Sequence, residues 1–174
     1  TTSEIKVAGD MEGFGRQLFQ PHSAWIMRPE FLATTAEVRS ISHSNRPTTG
    51  KLIDVRGGGE WDGTETQHYP FFSKAGHIPS AKYQGDWDNL VDPETHMLAP
   101  MLDAVAQRWR EQGIIDCEVA AGRKPLIFYC GTGWRSSIAL LVALLLGLRA
   151  KNYDDGFFGW SWSGENEIEV ARMS

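Results

Sequence analysis

The most constraining feature of the sequence is a short apolar run that passes through a glycine-containing turn into an apolar helix. Leu126 to Tyr129 forms a continuous apolar run, as expected of a strand buried on both faces of a parallel sheet. Ser136 to Leu146 is apolar almost all round, which predicts a buried helix ending at Gly147. A strand that leads directly into a buried helix is typical of α/β domains.

Further strand-like and helix-like segments surround this unit. We expect strands at 24–27, 52–55 and 81–83 and near 152–153, and helices at 30–41 and 100–112. Thr34 and Glu37 have capping-box spacing in the first of these helices. The pattern predicts an α/β fold with a mainly parallel sheet covered by helices on both faces. Reactive sites in such sheets lie beyond the carboxyl ends of strands, which marks the loops after Val55 and Tyr129.

Chain length, net charge and residue spacing limit the number of domains and the classes of partner. The 174 residues suffice for one domain, which we place at 21–174 after an arm or linker at 1–20. A formal net charge of -5 gives no basic footprint for nucleic acid, and the longest apolar run is too short for a membrane span. No histidines or cysteines have metal-ligand spacing. We favour a cytoplasmic protein. Because the chain opens without Met, a periplasmic or other exported protein whose signal is missing is kept as the alternative.

The turn Cys130 to Arg135 places a thiol where the strand meets the helix. Gly131 and Gly133 allow positive φ and the close approach of a ligand. Unpaired amides and the positive end of the helix dipole favour an anion at this position. Helix N-termini also lower the pKa of a cysteine thiol, and the thiolate is the nucleophilic form. We interpret Cys130 as a nucleophile; the alternative is a small apolar side chain buried at a strand end.

Three motifs in order resemble the rhodanese family. Leu52 to Arg56 is similar to its Asp-Val-Arg strand end, and residues 76–81 are similar to its Gly-His-Ile-Pro-Gly-Ala turn, with Ser80 at the second glycine. Cys130 to Arg135 fits its six-residue Cys-x-x-Gly-x-Arg loop. A later Asp-Gly followed by Trp160 also matches, so the resemblance spans roughly residues 24 to 165.

The resemblance implies a rhodanese-like fold with a five-stranded, mainly parallel sheet, and a sulfurtransferase in which Cys130 is alternately free and persulfurated. Thiosulfate or 3-mercaptopyruvate would donate sulfur, and cyanide or a thiol would accept it, without a metal or an organic cofactor. A sulfur-acceptor protein, or a partner domain if the chain is part of a tandem protein, would also interact with it. The implied substrate-binding residues are those of the loop, with Asp54 and Arg56 in support: Gly131, Thr132, Gly133, Trp134 and Arg135.

Two other functions stay open. A rhodanese module of a larger protein could act as a sulfur carrier or an interaction domain. A rhodanese-related phosphatase or arsenate reductase uses the same thiolate chemistry, but its Cys-x5-Arg loop is one residue longer. The shorter loop from Cys130 to Arg135 fits one sulfur atom better than a phosphoryl group.

The sequence leaves open which sulfur donor is used and what Arg135 binds. Neutral Gly131 and Thr132 resemble mercaptopyruvate-type loops, and Glu60 stands where an anion-binding arginine is found in tandem-domain animal enzymes. Arg135 either binds an oxyanion bidentately or pairs with Asp54 or Glu60. Further expectations concern three side chains. Arg56 pairs with Glu60, and His77 is structural in its turn. Trp134 walls the pocket, contacts a partner that accepts sulfur, or packs on one of four aromatic residues: Phe157, Phe158, Trp160 or Trp162.

Overall fold

A computed structural model describes residues 28–43, 49–66, 74–162 and 164–170. Its sheet has four parallel strands in the order β2-β1-β3-β4. The strands are β1 (Lys51–Asp54), β2 (Lys82–Tyr83), β3 (Leu126–Tyr129) and β4 (Ala150–Asn152). The expected count of five is therefore wrong for the part of the chain described. The predicted strand at 24–27 and the arm at 1–20 lie outside these residues, and one isolated parallel bridge joins Leu32 to Asn152.

Six α-helices connect and cover the strands within the described ranges. They are α1 (Thr35–Ser42), α2 (Gly58–Asp62), α3 (Leu102–Glu111), α4 (Cys117–Ala120), α5 (Trp134–Leu145) and α6 (Gly156–Trp162). Short 3₁₀ turns lie at Pro29–Phe31, Trp87–Leu90 and Ala99–Met101. No helix in those ranges has the length and apolar character that crossing a membrane requires.

The predicted helix at 30–41 begins later than expected because its capping box fixes the start. The Thr34 hydroxyl accepts from the Glu37 amide, and the Glu37 carboxylate accepts from the Thr34 amide at 2.9 Å. Both orphan donors at the helix end are thereby satisfied. Pro29 begins a separate 3₁₀ turn instead.

The core lies on both faces of the sheet, and alternate residues of β3 contribute to each half. Leu126 and Phe128 pack against α3, α4 and α5, whereas Ile127 and Tyr129 pack against α1 and α6. This alternation follows from the two-residue period of a strand. Because helices cover both faces of the sheet, the candidate site lies at the carboxyl ends of the strands, where β3 leads into Cys130.

The turn at 76–81 carries a strained residue. Ser80 has φ 63°, a left-handed conformation that costs a non-glycine residue about 1–2 kcal/mol. We expect Ser80→Gly to raise the free energy of unfolding by roughly 0.5–1 kcal/mol, less than the full strain because glycine also gives the unfolded chain more freedom. Urea denaturation measures this change.

The matched control is Ser40→Gly in α1, at an exposed position with helical backbone. That change should lower stability, because glycine is a poorer helix former than serine. Equal effects of the two substitutions would contradict the strain argument.

Candidate active site

Cys130 lies at the carboxyl end of β3 and is almost fully enclosed, with 1% of its surface exposed. The Ser136 hydroxyl, from the first turn of α5, lies 3.5 Å from the Cys130 sulfur and also donates to the Gly133 carbonyl at 3.1 Å. Ser136 is not part of the motif that marks the loop in the sequence. Its position immediately after the Cys-x4-Arg loop, in the first helical turn, was the available signal.

The loop after Cys130 is held through its carbonyl groups. The Cys130 carbonyl accepts from the Phe157 amide at 2.8 Å and the Gly131 carbonyl from the Phe158 amide at 2.9 Å. The Asn152 side chain donates to the Gly133 carbonyl at 3.1 Å. The end of β4 and the first turn of α6 therefore hold these carbonyls away from the interior of the loop.

The loop and the segment around the start of α6 pack closely, which explains the glycines at positions 133 and 156. Gly133 has φ 83°, and a Cβ there would lie 2.5 Å from the Asp154 carbonyl oxygen. Gly156 has φ 59°, and its Cβ would lie 2.5 Å from the Gly131 carbonyl oxygen. Only glycine fits such approaches at positive φ.

The amides of the loop remain unused. Among the residues that the structure describes, no atom accepts a hydrogen bond from the backbone N–H groups of Gly131, Thr132 or Gly133. Gly131 and Gly133 are nonetheless buried. Buried backbone donors are almost always paired, so unpaired amides beside a thiol indicate a place for an anion.

The Arg135 side chain forms an ion pair with an acid. Its guanidinium forms a bidentate pair with Glu60, with nitrogen–oxygen distances of 2.9 and 3.1 Å. Burial lowers the pKa of Arg135, but the hydrogen bonds and charge of Glu60 outweigh this and raise it overall. Of the interpretations left open, the structure adopts the ion pair with Glu60, which arrives from α2.

A second acid adds to the negative charge near this pair. Burial, followed by the charge of Asp88, raises the pKa of Asp86, and Glu60 contributes in the same direction. The Asp86 carboxylate also faces Gly57, the residue before α2. Asp86 was not among the residues singled out from the sequence, because a lone acid in a long irregular stretch carries no pattern.

Arg56 and Asp54 form a buried pair with each other. The Arg56 side chain donates to the Asp54 carboxylate, at 2.6 Å for its shortest bond, and to the Gly76 carbonyl at 2.7 Å. The expected pairing of Arg56 with Glu60 is therefore wrong, since residues two apart at a strand end share one face. Asp54 orients Arg56, and no described atom of the Cys130–Arg135 loop donates a hydrogen bond to its carboxylate.

His77 has structural partners, although they lie outside its own turn. Its Nδ1 atom donates to the Trp61 carbonyl at 2.8 Å, and its ring stacks on Trp61 at 3.6 Å between centroids. Its backbone pairs with Glu169. Within the described residues, no three His, Cys, Asp or Glu side chains gather as a metal site would require.

Trp134 projects into solvent at the start of α5, with 83% of its surface exposed. The expectation that it packs on residues 157–162 is not met. Phe157 and Trp160 are instead buried beneath the sheet, while Phe158 and Trp162 line an open pocket beside Thr132. Of the loop residues predicted to bind substrate, Gly131, Thr132 and Gly133 have amides without a described acceptor, whereas the Trp134 side chain is exposed and the Arg135 guanidinium pairs with Glu60.

Comparison with known proteins agrees with this arrangement. A family model described as the rhodanese-like domain matches residues 34–162. Thiosulfate sulfurtransferase YnjE of Escherichia coli (strain K12) is 25% identical over 154 residues, covering 83% of this chain and 32% of that protein.

Solved structures are also similar to this chain in sequence and fold. EanB, in a persulfide-carrying variant seen with ergothioneine, is 30% identical with a TM-score of 0.70, over 84% of this chain and 33% of that one. An anaerobic ergothioneine biosynthesis enzyme from Chlorobium limicola, bound to its natural substrate trimethyl histidine, is 31% identical with a TM-score of 0.70 and the same coverage. The chain spans about a third of the length of these relatives. With the motif order and the strand-to-helix cysteine, these matches show that the chain belongs to the rhodanese-like domain family.

Proposed function

We propose that this chain is a sulfurtransferase domain that carries sulfane sulfur as a persulfide on Cys130. The observation that supports the proposal most directly is the set of unpaired amides at Gly131, Thr132 and Gly133 beside the enclosed thiol. A persulfide ends in a negatively charged sulfur, and oriented amides stabilise such charge without rearranging. The hydroxyl of Ser136 lies 3.5 Å from the sulfur and can donate its one hydrogen to it in place of the Gly133 carbonyl.

The proposed reaction has two displacement steps. The Cys130 thiolate attacks the sulfane sulfur of a donor, and the donor's remaining fragment leaves with the bonding electron pair, as sulfite from thiosulfate or enolpyruvate from 3-mercaptopyruvate. A nucleophilic acceptor, cyanide or a thiolate, then attacks the terminal sulfur and regenerates the Cys130 thiolate. Neither step needs an external oxidant or reductant, and we propose that no metal or organic cofactor takes part.

The acceptor belongs to the proposal as well. One solved relative has trimethyl histidine as its natural substrate, so an acceptor with a quaternary ammonium group is a candidate beside simple thiols. Because the chain covers about a third of each relative, the activity of a longer protein that contains this domain is part of the same proposal.

Mass spectrometry tests the proposal. Incubation of the intact protein with thiosulfate or 3-mercaptopyruvate should add one sulfur atom, and cyanide should remove it. Peptide mapping should place the added sulfur on Cys130, and Cys117→Ser, which removes the exposed second cysteine, should load normally. If no donor adds sulfur to the protein, the sulfurtransferase proposal is wrong and the interaction-module hypothesis remains. Hydrolysis of an aryl phosphate that depends on Cys130 would favour the phosphatase.

The ion pair at the site predicts a poor response to doubly charged donors. Glu60→Gln should lower KM for thiosulfate by about tenfold, because it removes the charged partner of Arg135 and leaves Asp86 as the remaining acid near its guanidinium. The glutamine amide oxygen can still accept from Arg135, so the arginine keeps its position. Steady-state kinetics measures the change.

A matched control is Glu111→Gln, which removes one negative charge from an exposed position on α3. That variant should leave KM for thiosulfate unchanged. An unchanged or higher KM in Glu60→Gln would contradict the argument that Glu60 cancels the charge of Arg135.

A further inference from the structure

An open pocket of about 480 Å³ lies between the Cys130 loop and α6, outside the thiol site itself. One residue of the loop lines it, and the other lining residues come from the turn before α6 and from α6 itself: Thr132, Asp154, Asp155, Phe158, Gly159 and Trp162. A molecule seated here lies next to the loop that would hold the persulfide. The chemistry of the lining decides what that molecule can be.

Two aromatic rings form one wall of the pocket. Trp162 is 74% exposed, and its ring lies 5.3 Å from the ring of Phe158 at an angle of 46°. Folding leaves most of the Trp162 indole in water, although burying such a ring would be favourable. Aromatic faces attract organic cations that lie within about 6 Å of the ring centroid, and the attraction is strongest for tryptophan.

Two carboxylates complete the lining. Asp154 and Asp155 are both exposed, and the Thr35 hydroxyl donates to Asp155 at 2.9 Å, which restricts that side chain. No arginine, lysine or histidine among the described residues forms an ion pair with either aspartate. The pocket therefore combines the negative charge of two exposed aspartates with the exposed indole of Trp162 and the partly buried ring of Phe158. The negative charge repels anions, and the described residues offer a metal ion fewer than three clustered acidic, histidine or cysteine ligands, whereas a bulky organic cation can use both the charge and the rings.

We propose that this pocket binds an organic cation of the quaternary ammonium or methylated amine class. The pocket is assigned to the sulfur acceptor, and that assignment rests on the proposed sulfurtransferase function. With the cationic group held beside Phe158 and Trp162, the nucleophilic end of the acceptor lies near Thr132 and the loop. The pocket selects the acceptor, whereas the loop amides hold the sulfur.

The first experiment measures binding without sulfur chemistry. Choline and its uncharged isostere 3,3-dimethylbutan-1-ol are titrated into Cys130→Ser protein, and the indole N–H signals are followed by NMR. Choline should bind saturably and at least fivefold more tightly than the isostere. Trp162→Leu and Asp155→Asn should each weaken choline binding severalfold. Trp134→Leu, which removes an exposed tryptophan that does not line the pocket, should leave it unchanged.

Equal binding of choline and the isostere would overturn the cation site. So would equal choline binding by the Trp162→Leu and Trp134→Leu variants, because the exposed indole of Trp162 would then contribute nothing.

The second experiment tests the assignment to the acceptor. Thiocholine and the neutral thiol 3,3-dimethylbutane-1-thiol are compared for removal of sulfur from the loaded wild-type protein. In each case the thiolate attacks the terminal sulfur, becomes a persulfide and releases the Cys130 thiolate. Thiocholine should react at least fivefold faster at subsaturating concentration, and Trp162→Leu should abolish the preference.

Equal rates for the two thiols would overturn the acceptor assignment even if choline binds. A protein that binds choline but never loads with sulfur would instead refute the sulfurtransferase function and leave the cation site standing.

Discussion

Cys130→Ser is expected to eliminate persulfide formation and to lower sulfur transfer by roughly 10⁴-fold or more, because the nucleophile itself is removed. The serine hydroxyl occupies the same position but is a far weaker nucleophile at neutral pH and cannot form a persulfide. Transfer of sulfur from thiosulfate to cyanide, followed as thiocyanate, measures the loss. Intact mass after donor treatment should show no sulfur gain.

The substitution is conservative in volume, so folding should be retained. A far-ultraviolet circular dichroism spectrum that matches the wild type checks this point. Cys117→Ser is the matched control, since Cys117 is exposed at the start of α4, and it should keep wild-type turnover. Turnover that survives Cys130→Ser but falls in Cys117→Ser would move the chemistry to the other cysteine and refute the proposed site.

Arg56→Met is expected to produce the largest loss of stability. The substitution leaves the fully buried Asp54 carboxylate without its charged partner and the Gly76 carbonyl without its donor. Removing one member of a buried ion pair costs about 3–5 kcal/mol, which lowers Tm by roughly 6–20 °C in a domain of this size. The Arg56 guanidinium also lies 4.2 Å from the centroid of the Phe157 ring, so packing is lost as well. Thermal and urea denaturation measure the effect.

The double variant Asp54→Asn/Arg56→Met should recover part of this loss. It no longer buries an unpaired charge, and much of the cost of the single change comes from that charge. A single variant as stable as the wild type, or a double variant less stable than the single one, would contradict this account of the pair.

The best sequence predictions came from segments whose local pattern and tertiary setting agree. The strand at Leu126–Tyr129 has the predicted bounds, because an apolar run bounded by Pro125 and a glycine-containing turn has few alternatives. The capping box at Thr34 and Glu37 is also confirmed. Rhodanese-family membership could be inferred from three short motifs because their order along the chain matters as much as their residues.

Helix α2 shows where local reasoning failed. Three consecutive glycines, Gly57 to Gly59, indicated a loop, yet Gly58 and Gly59 begin a helix. The Glu60 carboxylate accepts from the Gly57 amide at 3.1 Å, which offsets part of the unfavourable glycine propensity. Because α2 was not predicted, the position of Glu60 was unknown. The sequence alone therefore left open whether Arg135 binds substrate or an acid.

The pocket beside α6 was beyond sequence reasoning for another reason. Aromatic residues at 157–162 indicate burial in general, but the helical period decides which of them face the core. Phe157 and Trp160 face inward in the structure, whereas Trp162 faces solvent. That division depends on where α6 begins, and a helix that starts with glycine has no strong signal for its first residue.

The amides of Phe157 and Phe158 donate to the carbonyls of Cys130 and Gly131. These hydrogen bonds bear on how short a segment of the chain can be and still support the proposed sulfur transfer. The four strands and the cysteine are complete by residue 152, but a fragment that stops shortly after β4 would lose Phe157 and Trp160, which cover one face of the sheet. Such a fragment would lack the two amides that fix the peptide planes around the thiol. Domain boundaries for engineering or transplanting this module should therefore be drawn after α6, because the last helix helps to shape the reactive loop.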